Sequence, residues 1–113
     1  MTTLGDQQRR FAEMLATLIL KAVELGFRVR LGEAWRSRET CAMYAAQGIG
    51  IADSLHQDRL AIDLILDRDG VWLKDTADYA PLGVWWEQQH ADARWGGRFR
   101  DGGHFSLAWE GRA

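Results

Sequence analysis

The sequence reads as one small domain, residues 1–113, in which helices and strands are mixed along the chain, and three observations carry that reading. At 113 residues, with 47% hydrophobic and 27% charged residues, the chain has the length and composition of a single folded unit and no mark of disorder. Apolar residues recur at helical spacing near the amino terminus. Two later runs have the character of strands, an alternating one at 27–31 and a near-continuously apolar one at 60–66. A chain of this size buries roughly two-thirds of the surface its unfolded form exposes, so it needs no disulfide staples.

From Asp6 to about Leu25, apolar residues fall at Phe11, Leu15, Leu18, Ile19, Ala22 and Leu25, which predicts a helix with Asp6 as its N-cap and Gly26 just past its end. Phe27–Leu31 alternates with period two and predicts a strand that runs into a loop. Glu33, Trp35, Arg36 and Arg38 then stand where rigid scaffold meets irregular chain, a common place for binding residues. Arg36 can clamp a substrate carboxylate with its planar fork; a plain surface ion pair with Glu33 or Glu39 is the structural alternative. Ser37 caps a short helix over roughly Glu39–Gln47, closed by Gly48, and 48–53 reads as a flexible approach loop.

Leu60–Leu66 predicts a central strand covered on both faces, with Asp67-Arg68-Asp69-Gly70 turning into a hairpin partner at Val71–Leu73. Asp63 interrupts that run. A carboxylate in a buried strand costs several kcal/mol unless it is paired, hydrogen-bonded or bound to metal. His56, delivered by the preceding loop, is its nearest natural partner. Tyr79–His90 predicts a second long helix, with Pro81 in its first turn, Leu82, Trp85, Trp86 and Gln89 as its packed face, and a structural or exposed His90 in its last turn. The tail from Arg94 reads as glycine-rich loop followed by alternation, in which Phe105, Leu107 and Trp109 face the core and His104, Ser106 and Ala108 face away.

Composition narrows the chemistry. The net charge is −2 and the basic residues are scattered, so nucleic-acid binding gains no support. No apolar run approaches the ~20 residues of a membrane helix, and the first residues lack the pattern of a signal sequence, so a protein made in the cytoplasm without membrane insertion is expected. The single cysteine, Cys41, excludes an internal disulfide and a thiolate metal set; a buried structural thiol is its expected state. Any metal must therefore use His and carboxylates. A hydrolytic zinc needs three protein ligands and an open position, and His56, Asp63 and His104 can supply the three. Asp101, shortly before His104 on a turn with two glycines, can act as general base. A catalytically silent domain in which these His and Asp residues form a buried polar cluster without metal remains the alternative from spacing alone.

These segments resemble a known family. Ser54-Leu55-His56 with Leu60-Ala61-Ile62-Asp63-Leu64 is similar to the Ser-x-His-x-x-Gly-x-Ala-x-Asp signature of the VanY-like D-alanyl-D-alanine carboxypeptidases and their phage L-alanyl-D-glutamate endopeptidase relatives. Gly102-Gly103-His104-Phe105 resembles the family's second signature, Glu33-Ala34-Trp35-Arg36-Ser37 with Tyr44 and Gly48 its Gly-Tyr-Arg-Ser/Thr segment, and Trp95-Gly96-Gly97 its Trp-Gly-Gly. The resemblance implies an α+β fold with a small central antiparallel sheet flanked by two or three helices. It implies Zn2+ held by His56, Asp63 and His104, Asp101 as base, Arg36 and Ser54 against the substrate, and a monomer acting on the peptidoglycan stem peptide. The implied activity is L-alanyl-D-glutamate endopeptidase of phage endolysin type, acting on the wall after release from the host cytoplasm, with a D-alanyl-D-alanine carboxypeptidase of the same fold, or a catalytically silent domain that binds cell-wall peptide, as the alternatives. Two departures stand out: Arg59-Leu60 in place of Gly and its neighbour, expected to narrow the approach to the metal, and Ser106 where many members have Glu, which leaves Asp101 as the base.

Overall fold

The computed structural model describes residues 1–113. Helix α1 (Leu4–Glu24) starts on a capping box, in which Thr3 Oγ1 accepts from the Asp6 amide at 3.1 Å and the Asp6 carboxylate accepts from the Thr3 amide at 3.0 Å. Asp6 is therefore the third residue of the helix rather than its cap; the reciprocal pair satisfies two amides where Asp6 as cap would satisfy one. Gln7, Phe11, Leu18 and Ala22 form the buried stripe of α1. Strand β1 (Arg28–Leu31) leads through a loop to α2 (Arg38–Ala46), capped by Ser37 Oγ accepting from the Thr40 amide. A short 3-10 turn, Leu55–Asp58, precedes the long strand β2 (Ala61–Arg68), its hairpin partner β3 (Val71–Trp72) and helix α3 (Thr76–Glu87). The chain closes with β4 (Ala93–Trp95), a second 3-10 turn at Gly96–Phe99, and β5 (His104–Leu107).

The strands make one antiparallel sheet in the order β1-β2-β5-β4, with β3 paired to the far end of β2. This is the expected α+β fold. Helices α1 and α3 pack on one face, where Trp86 meets Phe11 and Phe105 edge-on at 6.0 and 6.1 Å. The Trp86 indole N–H donates to the carbonyls of Arg94 and Ser106, so one side chain ties α3 to β4 and β5.

Along β2, Ala61, Ile62, Leu64 and Leu66 are buried while Asp63, Ile65 and Asp67 are half-buried. The strand is central but not covered on both faces, because the helices pack on one side only. The apolar run hides this: Ile65 is as hydrophobic as a core residue yet lies on the open face. Helix α3 also differs from its expected span. It begins at Thr76 and ends at Glu87, which puts Pro81 inside it, at the expense of one i→i−4 hydrogen bond, and leaves His90 beyond its end, accepting from the Asp92 amide. Gln89 is exposed and does not extend the packed face, whereas Tyr79 and Gly83 are buried on it. Strand β4 was not apparent, since three residues are too few to show alternation.

Gly83 lets α3 approach the sheet: a Cβ there would lie 2.1 Å from the Trp95 ring. Gly83→Ala should therefore lower stability by about 1–3 kcal/mol, read as a fall in the urea midpoint at unchanged m-value. An unchanged midpoint would show that Trp95 moves aside at no cost.

Candidate active site

Three elements meet on the open face of the sheet. Asp63 on β2 and His104 on β5 are directly opposed in the antiparallel register, so their side chains leave the sheet on the same side. His56 comes from the 3-10 turn, whose start is fixed by Ser54 Oγ accepting the His56 amide at 3.1 Å. The His56 Nδ1–H donates to the Ala34 carbonyl at 2.7 Å, so that in the neutral ring Nε2 is the bare nitrogen and in the charged ring its proton faces Asp63 Oδ1, 3.4 Å away. His104 presents Nδ1 to the same oxygen at 3.3 Å, and the two imidazoles stand edge to face with centroids 5.1 Å apart.

These separations suit a metal. Ligand atoms about 2.0–2.2 Å from a tetrahedral zinc lie about 3.3–3.5 Å from one another, and both edges at Asp63 fall in that interval. All three ligand atoms lie within 4.8 Å of one another. Two neutral imidazole nitrogens and one carboxylate oxygen are a common zinc donor set, and His56 already has its other nitrogen occupied, as zinc-binding histidines do.

The electrostatics follow from the crowding. Burial alone would raise the Asp63 carboxyl, but hydrogen bonds from His104 and His56 outweigh it and hold its pKa well below the usual range. Burial likewise opposes a charged His56, yet the hydrogen bond and charge of Asp63 raise its pKa above 6.5. Asp101 sits on the rim. Partial burial pushes its pKa up, His104 pulls it down and Asp63 pushes it up again, with a net upward displacement.

A cavity of about 400 Å³ opens over the three residues, walled by Arg36, Ile49, Ile51, Arg94, Arg98 and Phe99, with Asp101 and Ser54 also on its surface. Every expected site residue thus reaches one cavity. Ser54 is buried, and its oxygen already accepts the His56 amide, so its first task is to hold the ligand turn. Arg59 does not narrow the approach. Its backbone is left-handed, at φ 58° and ψ 37°, and its guanidinium stacks on Trp35, 4.9 Å from the ring centroid and outside the cavity wall. The left-handed conformation accounts for glycine in the signature at this place. Ser106 Oγ is buried beside the site without a hydrogen-bond partner, and Cys41 is a buried thiol.

Two further contributions come from residues outside the expected site. The approach loop supplies Ile49 and Ile51 as an apolar wall. Trp95 clamps the loop that carries Asp101 and His104: its indole N–H donates to the Gly102 carbonyl at 2.7 Å, and its ring is sandwiched between Gly83 and Gly97, where a Cβ would come within 2.2 Å on the Gly97 side. At Gly96 a Cβ would lie 2.3 Å from the Asp101 carbonyl oxygen. The Trp-Gly-Gly run was the available signal, and its meaning is steric.

No protein-family model matches the chain, and no curated protein matches it in sequence. Among solved structures it is similar to the Serratia marcescens L-Ala D-Glu endopeptidase ChiX, with a TM-score of 0.68 and 21% identity, over 96% of this chain and 89% of that one. At this identity the likeness is one of fold. No helix is long and apolar enough to cross a membrane.

The shifted groups set opposite pH trends. His56, raised above 6.5, contributes stability that is fully present below 6.5 and is lost as pH rises through its folded value. Asp63, depressed, contributes stability above 3.8 that is lost as pH falls. From pH 6 to 8 the metal-stripped protein should lose stability relative to His56→Asn, while the rise in melting temperature on adding zinc should grow, because the ligands bind deprotonated. Melting curves with and without chelator read both slopes, and a reversed sign in either contradicts the assignment. Arg59→Gly should keep or raise the melting temperature and change zinc binding less than twofold; a large loss of zinc affinity would return Arg59 to the site.

Proposed function

We propose that this protein is a zinc-dependent peptidoglycan peptidase that cleaves the stem peptide at the L-alanyl-D-glutamate bond, so that its place of action is the cell wall. The observation that carries this reading is the convergence of His56 Nε2, Asp63 Oδ1 and His104 Nδ1 under an open cavity, with both distances at Asp63 of tetrahedral-edge length. Its support is a fold similar to that of the Serratia marcescens endopeptidase. A zinc ion bound there supplies Lewis acidity, which lowers the pKa of an attacking water to about 7 and polarises a peptide carbonyl.

The chain's own residues supply the remainder. Asp101, on the rim with its pKa displaced upward, takes a proton from the attacking water and passes it to the leaving amine. Arg36 lines the same cavity and stabilises negative charge on the substrate or on the developing oxyanion. With Arg94 and Arg98 also on the walls, the cavity suits a peptide that carries free carboxylates, as a stem peptide containing D-glutamate does.

Mass analysis of purified muropeptides after incubation with zinc-loaded protein tests the proposal. Fragments with a new amino-terminal D-glutamate are expected, and a chelator should stop their release. Loss of a terminal D-alanine would instead mark a carboxypeptidase, and no product at all would leave a peptide-binding domain. Asp101→Asn should reduce turnover by about 10²-fold or more while zinc stays bound at one ion per chain; retained turnover removes Asp101 from the base role.

A further inference from the structure

The Arg36 guanidinium is more tightly held than its place on a rim loop suggests. Its Nε–H donates to Glu33 Oε1 and its plane lies over the Tyr44 ring, 5.0 Å from the centroid. The side chain retains only 14% of its exposure, and that of Glu33 retains 35%. Glu33 engages the guanidinium through Nε, the two Nη atoms make no hydrogen bond to the protein, and the residue lines the cavity. Gly50 passes beside Nη1, with no side chain there to cover it.

The backbone of this segment is tied to the metal ligands as well. The Glu33 carbonyl accepts the Asp63 amide at 2.9 Å, the Ala34 carbonyl accepts His56 Nδ1–H, and the Arg36 amide donates to the His56 carbonyl at 3.2 Å. A charge that must meet substrate at a set distance from the ligands is thus built on the chain that holds those ligands. A long arginine side chain without a partner would sample many rotamers and lose that register.

We infer that Glu33 is a positioning residue for the peptidase: together with the Tyr44 ring it fixes Arg36 so that its free Nη edge takes an anionic oxygen of the substrate in the cavity. The inference rests on the peptidase reading above. The ion pair that would mark Arg36 as ordinary surface is here the means by which it serves the site. Because Arg36 lines the cavity and Glu33 does not, the effect of the Glu33 side chain passes through Arg36, which makes the two residues non-additive.

The test is a double-mutant cycle on zinc-loaded protein with a purified muropeptide, following kcat and KM together with zinc content and melting temperature. Glu33→Ala should lower kcat/KM by about ten- to a hundredfold at full zinc occupancy. Glu33→Gln, which keeps the acceptor, should retain more activity than Glu33→Ala. In an Arg36→Ala background, Glu33→Ala should have no further effect. A rise confined to KM identifies a ground-state carboxylate as the anion, and a fall confined to kcat identifies an oxygen that gains charge in the transition state. Glu33→Ala within twofold of wild type, or an equal loss in the Arg36→Ala background, overturns the inference. An active wild type with an unaffected Glu33→Ala overturns this inference alone; an inactive wild type overturns the peptidase reading and this inference with it.

Discussion

A carboxylate held between two imidazoles on an otherwise apolar sheet is the arrangement on which the rest of this structure depends. Asp63 is half-buried, and burial alone would raise its pKa; hydrogen bonds from His104 and His56 outweigh that and hold it well below the usual carboxylate range. In the metal-free chain the three groups compensate one another. A bound cation would be held by Asp63 Oδ1 and by the two imidazole nitrogens that face it, and any proton on those nitrogens would have to leave.

Holding three ligand atoms at such spacing requires the backbone to be placed from several directions. β2 and β5 place Asp63 and His104 by strand register, a robust device because slipping by one residue would turn both side chains into the core. His56 has no strand to hold it and depends on Ser54, on the Ala34 carbonyl and on the left-handed turn at Arg59. The loop before His104 depends on Trp95, whose ring fits only because α3 and the second 3-10 turn present glycines to it. Helix α3 therefore serves the site from the opposite side of the sheet.

Asymmetry of the two faces divides the labour. The face under α1 and α3 is packed with Phe11, Leu18, Trp86, Phe105 and Leu107, and accounts for the stability of the domain. The face left open carries Asp63, His56 and His104, the arginines and the cavity. Alternation along β5 joins the two functions in one strand, with Phe105 and Leu107 on one side and His104 and Ser106 on the other.

Much of this was legible in the residues. Periodicity located α1, the cap at Ser37, the hairpin after β2 and the two-sided character of β5, because each of these depends on neighbours in the chain. A lone carboxylate in the run from Leu60 to Leu66 was enough to mark Asp63 as needing a partner. What the sequence by itself could not decide is anything settled by distant parts of the chain: which face of β2 stays open, where α3 begins, and which nitrogen of His56 is bare. Only the tertiary structure shows that Arg59 turns away from the cavity while Glu33 and Tyr44 hold Arg36 toward it. The reason is physical: spacing records contacts between residues a few positions apart, whereas a catalytic geometry is made of contacts across tens of residues, which leave no period in the sequence to read.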